Sequence, residues 1–225
     1  MVFFSVFTKK YISLESDGKN RKNILARASK GQGIVKQILT MLQDICFGPF
    51  YFEVAMMFRT SLLLNSILLN SEAWYSPPMK DIAELEKVDC SLLRKILEAP
   101  SGTPNCMLYL ELGCIPIRFL VKQRRLMFLY YLLQQDGDTL LFKVLNSQIE
   151  ESIKGDWIEQ IYNYIEEVGI IWSLEEIQRL SEENFKAHVQ QCIGKSSLQW
   201  LNGQKKSETK GVQHNTQRSP NMQMC

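Results

Sequence analysis

Residues 47–74 read FGPFYFEVAMMFRTSLLLNSILLNSEAW, and the twenty residues 50–69 within this stretch are mostly apolar. Glu53 and Arg59 interrupt the run. Charges near the middle of a span are costly in hydrocarbon, which disfavours a membrane helix. Apolar residues on most sides of the predicted helix place it instead at the centre of a fold, and structural ion pairing is the expected role of its two charges.

Further helices are predicted on both sides of this segment. Apolar residues recur at helical spacing from Asn20, although Gly31 and Gly33 weaken that helix and favour a kink. Prolines and glycines then divide the chain, with Pro116 expected to open a helix. The sequence also predicts helix caps at Thr103, Asp156 and Ser173, helix ends at Gly113 and Gly169, and a capping box between Ser173 and Glu176.

This pattern predicts a mainly α fold, a multi-helix bundle. With 225 residues the chain is long enough to bury a core without a metal or disulfide. Four parts are expected: a short β-hairpin remnant at 1–18, a helical domain at 19–148, an acidic helical segment at 149–201 and a disordered polar tail at 202–225.

The six cysteines are scattered along the chain, without a C-x-x-C pair. Such spacing favours reduced thiols in an intracellular protein, with nucleus and cytoplasm both open. The apolar N-terminus has no charged leader or small-residue cleavage site and so does not resemble a signal peptide.

Charge is distributed unevenly, although the net charge is only +2. Residues 9–36 hold eight basic and two acidic side chains, whereas residues 150–183 hold ten acidic and two basic ones. This asymmetry favours one end that faces a polyanion and another that faces solvent or a partner. An ordinary solvated surface is the alternative interpretation of either run.

The sequence contains no recognisable catalytic motif. It has no Asp-Asp pair, P-loop, G-x-G-x-x-G or G-x-S-x-G pattern. His188 and Cys192 have the spacing of half a zinc site, but no second pair lies nearby, so a buried helix surface is the favoured interpretation. We expect no metal, cofactor or small-molecule substrate.

Two predicted helices each carry basic residues three and four positions apart, with apolar residues free to face inward. Two such ridges suit a helix pair that follows phosphates through counterion release, without reading bases. The candidate nucleic-acid-binding residues are Lys19, Arg21, Lys22, Arg27, Lys30, Arg118, Lys122, Arg124 and Arg125.

Several ordered strings of residues resemble reverse transcriptases of non-LTR retrotransposons. They include FGPFYFEVA at 47–55, RTSLLLNS at 59–66, NSEAWY at 70–75 and MLYLELG at 107–113. Shorter matches occur at 85–89, 92–97, 103–104, 116–118 and 124–126. The resemblance covers about residues 10–200 and corresponds to the region after the polymerase palm.

The resemblance implies a helical thumb and connection that grips a template–primer duplex. Its implied partners are RNA, DNA or an RNA–DNA hybrid, and the palm portion of a reverse transcriptase. The paired catalytic aspartates of the family lie upstream of the matched region, and nothing in this sequence replaces them. We therefore expect a truncated, element-derived protein without polymerase chemistry.

Two other interpretations remain open at this point. The acidic residues at 150–183 could make the chain a protein-interaction module that docks a basic partner. Alternatively, the chain is a pseudogene product without a function, which no sequence feature excludes.

Overall fold

A computed structural model describes residues 20–43, 48, 50–74, 77–151 and 154–216, with side chains through residue 206. This part of the chain is mainly helical and contains no strand, which confirms the predicted mainly α class. The predicted hairpin remnant at 1–18 lies outside the described residues.

The elements follow one another through short connections. In chain order they are α1 (Arg21–Gln43), α2 (Tyr51–Phe58), a π-helical segment (Arg59–Leu64), α3 (Asn65–Ile67), a 3-10 turn (Ser71–Ala73), α4 (Met79–Ile96), α5 (Asn105–Glu111), α6 (Ile117–Leu133), α7 (Leu140–Glu151), α8 (Trp157–Val168), α9 (Leu174–Arg179) and α10 (Glu182–Thr216).

The central segment, residues 50–69, buries every fourth position from Tyr51 through Ala55, Arg59 and Leu63 to Ile67, and Leu64 and Leu68 are buried beside this stripe. An α-helix has 3.6 residues per turn, so each step of four residues carries the stripe about 40° around the helix. The π-helical segment has wider i→i+5 turns and rotates less per residue, which reverses part of this drift. The stripe therefore stays against the core along the whole segment.

The segment is central on one side only, which corrects the expectation from its apolar composition. Met57 is 56% exposed and Leu62 is 40% exposed, although both belong to the apolar run. Phe52 is also exposed, at 49%. The apolar composition could not predict which side is buried, because the buried stripe contains the charged residue Arg59 while several apolar residues are exposed.

Arg59 forms a buried ion pair with Asp89 of α4. Its Nε and Nη2 donate to the two carboxylate oxygens at 2.8 and 2.7 Å, and the Tyr109 hydroxyl donates to Asp89 Oδ2 at 3.0 Å. Burial disfavours the charged guanidinium, but the adjacent carboxylate outweighs it, so the pKa of Arg59 is raised. The expected structural pairing of Arg59 is thus found with Asp89, while Glu53 is exposed.

Helix α6 passes between two large hydrophobic clusters. Ile117 and Val121 belong to a cluster with α1, the central segment and α4, whereas Leu126 and Leu129 belong to one with α7–α10. A third, smaller cluster joins α4, α5 and the far part of α10. The second cluster spans the predicted boundary at residue 149, so the acidic segment shares its core with α6.

Several predicted helix ends are present in the structure. Asp156 caps α8, Gly169 ends it with a φ of 75°, and Ser173 forms the capping box with Glu176. The predicted cap at Thr103 is wrong, because Pro104 occupies the N-cap position of α5 and no side chain caps that helix.

Helix α10 extends beyond the expected start of the tail. Leu201 is the last buried residue among those with described side chains, which end at 206, yet the helix continues to Thr216. Lysine, glutamine and glutamate are good helix formers, which favours helix in this polar stretch. Residues 217–225 lie outside the described part of the chain.

Within the described ranges, no helix combines the length and the hydropathy that a bilayer span requires.

Gly31 and Gly33 provide a matched pair for testing how closely α1 crosses its neighbours. A Cβ on Gly31 would lie 2.7 Å from the Ile67 Cγ2 atom and 3.0 Å from the Val88 Cγ1 atom, whereas a Cβ on Gly33 would meet nothing within 4 Å. We expect Gly31→Ala to lower the free energy of unfolding by about 1–3 kcal/mol through overpacking. Gly33→Ala should raise it by about 0.5–1 kcal/mol. Urea unfolding of both variants checks this, and equal effects would contradict the close crossing.

The buried ion pair makes a second prediction. Asp89→Asn leaves the Arg59 charge without its carboxylate, so unfolding in urea should show a loss of about 3–5 kcal/mol. The control is Glu84→Gln, which removes an exposed pair with Lys87 on the same helix and should cost less than about 1 kcal/mol. Comparable losses in the two variants would show that Arg59 is not held as described.

Candidate nucleic-acid interface

The first predicted ridge lies on the exposed side of α1. Lys22 and Lys30 are exposed, while Ile24, Val35 and Ile38 are buried on the opposite side, as the spacing predicted. Lys36, which sequence analysis counted as charge but not as a site residue, is also exposed on α1. Lys19 lies outside the described residues.

Arg21 stays accessible although it has a partner. Its Nε lies 3.7 Å from Asp81 Oδ1, and its side chain is 58% exposed while that of Asp81 is 3% exposed. Because the Asp81 carboxylate is buried, an external phosphate would have to compete with it for the Arg21 guanidinium.

Arg27 faces the interior rather than solvent. It is 7% exposed, its Nε donates to Asn23 Oδ1 at 3.1 Å and its Nη1 donates to the Ser66 carbonyl at 3.2 Å. Burial lowers the pKa of Arg27, and the nearby Glu72 carboxylate partly offsets that effect. Arg27 therefore ties α1 to the end of α3.

The second predicted ridge, on α6, begins with a residue that is bound to α4. Arg118 donates from Nε and Nη2 to the Glu86 carboxylate at 2.8 and 2.5 Å, and its guanidinium lies 4.1 Å from the Trp200 ring centroid. Hydrogen bonding to Glu86 is the main reason that the pKa of Arg118 is raised. Arg118 thus connects α4, α6 and α10.

Lys122 is buried beside the acidic segment. Its Nζ lies 2.5 Å from Glu167 Oε1 and 5.1 and 5.4 Å from the ring centroids of Phe119 and Tyr164. Its side chain is only 8% exposed. The ammonium group therefore has an anionic partner and two aromatic faces within the protein.

Arg125 is fully buried, and no ion pair with a carboxylate is found for it among the described residues. Its Nη1 donates to Gln160 Oε1 at 3.0 Å, and the guanidinium lies 5.6 Å from the Trp157 ring centroid and 5.2 Å from that of Tyr164. Burial lowers its pKa. The Nε and Nη2 atoms have no hydrogen-bond partner among the described residues, so the two aromatic faces and the hydrogen bonds of Nη1 are what stabilise this charge.

The second ridge is therefore not an exposed ridge. Lys122 and Arg125 face the second hydrophobic cluster, and Arg118 is partly buried against Glu86. The physical reason is that α6 is covered on both sides, so its cations have internal partners. As binding residues, Arg27, Arg118, Lys122 and Arg125 remain predictions that no observation supports.

Arg124 occupies an intermediate position at the edge of a cavity. Its Nη1 donates to the Leu68 carbonyl at 2.8 Å, and its Nη2 lies 3.4 Å from Asn65 Oδ1. Burial lowers its pKa, with a smaller opposing effect from Glu72. The cavity has a volume of about 500 Å³ and lies between the central segment and α6.

A second cavity adjoins the first on the side of α1. It has a volume of about 520 Å³ and is lined by Lys30, Gln37 and Ser61 among others. Asn65 lines both cavities, which therefore lie on two sides of this residue, and we refer to the two together, from Lys30 to Arg124, as the groove. The basic spacing pointed to the ends of this groove, but no sequence signal indicated Asn65 or the aromatic residues further along it.

Most carboxylates of the acidic segment are exposed, whereas Asp156 is buried. Glu166, Glu167, Glu182 and Glu183 are exposed on α8 and α10. Only the pairing of Glu167 with Lys122 draws one of them toward the core. The acidic surface that a protein-interaction module would use is therefore accessible to solvent.

The spacing of His188 and Cys192 corresponds to a contact in the structure. Cys192 Sγ lies 3.4 Å from His188 Nε2, and the imidazole centroid is 4.0 Å from that of Trp172. Burial raises the pKa of the Cys192 thiol. No group of three or more His, Cys, Asp or Glu side chains suited to a metal occurs in the part of the chain that the structure describes.

The chain matches no protein-family model, no curated protein and no solved structure.

Alanine variants of Arg125 and Lys30 compare the stability effect of a buried cation with that of an exposed one. We expect Arg125→Ala to lower the free energy of unfolding by about 2 kcal/mol or more. This loss is at the low end for truncation of a large core residue, because the variant also removes the unfavourable burial of a charge. Lys30→Ala should change stability by less than about 0.5 kcal/mol, since its head is exposed. Thermal and urea unfolding provide the measurement, and an Arg125→Ala variant as stable as Lys30→Ala would contradict the assignment.

Proposed function

We propose that this chain is the helical, post-palm portion of a retrotransposon reverse transcriptase and that it binds the phosphate backbone of RNA, DNA or their hybrid without sequence specificity. The observation that carries the binding proposal is the exposed basic side of α1, opposite its buried apolar side. The family assignment depends on the matching sequence strings alone.

The proposed contacts come from α1 rather than from a pair of helices. Arg21, Lys22 and Lys30 extend from one helix, and Lys36 adds a further exposed charge along it. Each phosphate that such a cation neutralises releases counterions, which favours binding at low salt for any base sequence. The side chains of α6 support this helix indirectly, because α6 packs in the same core as α1.

Binding should depend steeply on salt and on the exposed side of α1. We expect the purified chain to bind a labelled RNA–DNA hybrid, with log affinity falling linearly against log salt. A Lys22→Gln/Lys30→Gln variant should bind more weakly, and its slope should be shallower by about one to two units, since each lost phosphate contact removes roughly 0.9. Fluorescence anisotropy across a salt series measures both quantities.

A charge-matched control separates local contacts from net charge. Lys143→Gln/Lys186→Gln removes two exposed cations from α7 and α10 and should leave the slope unchanged. Equal effects of the two double variants would reduce the proposal to nonspecific attraction by net charge. Absence of binding by the wild-type chain at low salt would overturn the nucleic-acid proposal. Metal-dependent nucleotide incorporation by the pure chain would overturn the expectation of no polymerase chemistry.

A further inference from the structure

The cavity beside α6 has the character of a site for a flat, partly apolar ligand. Leu64, Leu120 and Met127 contribute apolar walls, while Gln123 and Arg124 bring polar groups to the same space. Binding cavities for organic ligands combine mostly apolar walls with a few orienting polar groups in this way.

Two aromatic rings form a fixed platform in this cavity. Phe128 and Tyr131 stack with centroids 6.0 Å apart and an interplanar angle of 14°. Phe128 is held by an edge contact with Trp157, whose indole Nε1 donates to the Glu72 carbonyl at 3.0 Å. Tyr131 is 50% exposed, so it can accept a further ring.

The polar lining offers both donors and acceptors. Arg124 is held near the cavity by the Leu68 carbonyl and Asn65, while Glu72 supplies a carboxylate and Gln123 an amide. A nucleobase edge carries the complementary mixture of N–H donors and carbonyl or ring-nitrogen acceptors. A phosphate fits less well, because Glu72 adds a negative charge to mostly apolar walls.

We propose that this cavity receives an unpaired base of single-stranded RNA or DNA, stacked on Tyr131, while the adjoining backbone follows the groove past Asn65 toward Lys30. The inference rests on the proposed nucleic-acid function and specifies its substrate. Asn65 lines both the cavity with the aromatic platform and the cavity with Lys30, so a bound strand could pass from one to the other across this residue. A base in a duplex is already stacked and paired, so this site distinguishes single strands from duplexes.

The test compares a fluorescein-labelled 12-nucleotide RNA with an abasic strand of the same length and charge. Stacking of one base is worth a factor of about 5 to 100 in affinity. We therefore expect Tyr131→Ala to weaken binding of the RNA by such a factor and to leave binding of the abasic strand unchanged. Tyr162→Ala is the matched control, because Tyr162 is 42% exposed on α8 and does not line the cavity.

The outcomes separate this inference from the proposal beneath it. Suppose that the wild-type chain binds both strands. If Tyr131→Ala then weakens neither, or weakens both equally, the base site is overturned while backbone binding remains. No binding of either strand by wild type overturns the nucleic-acid function itself, and the base site with it. If the alanine variant has a lowered melting temperature, Tyr131→Leu replaces it in the test, because leucine keeps apolar volume without an aromatic face. Tyr131→Leu should then show the same selective loss of RNA binding.

Discussion

The ion pair between Arg59 and Asp89 connects four elements of the fold: the π-helical segment, α4, α5 and the start of α6. It joins the π-helical segment to α4, and Tyr109 of α5 donates to the same carboxylate. Arg59 Nη2 also lies 3.4 Å from the Ile115 carbonyl just before α6. Because a buried charge without its partner is strongly destabilising, any packing that separates these groups is penalised. The pair therefore selects one register among apolar surfaces that would otherwise slide.

Helix α6 shows that a basic residue pattern does not define a basic surface. Arg118 and Lys122 have carboxylate partners, Arg125 has aromatic faces, and Arg124 binds a backbone carbonyl. These interactions connect α6 to both hydrophobic clusters and leave little of its charge in solvent. Of the two predicted basic ridges, it is therefore the one on α1 that keeps its described cations mostly accessible, since α1 meets the core on one side only.

The sequence predicted the helices better than it predicted the orientation of their side chains. The inward positions of α1, the cap at Asp156 and the capping box at Ser173 follow from local chemistry, and the structure contains them. The orientation of α6 could not be predicted, because apolar residues occur all around it and periodicity offers no preferred side. The pairing of Arg59 with Asp89 spans thirty residues of sequence separation, which no local pattern encodes. The groove at Asn65 likewise arises only when α1, α3 and α6 come together.

The π-helical segment limits which sequence changes are compatible with this fold. Its wider turns keep Ala55, Leu63 and Ile67 on one line, and this alignment depends on the number of residues more than on their identity. Gain or loss of a single residue at 59–64 would rotate everything after it relative to α2 by roughly 100°. A length change here would therefore move the buried stripe away from the core unless the turn geometry changed with it, whereas substitution on the exposed side would leave the stripe in place.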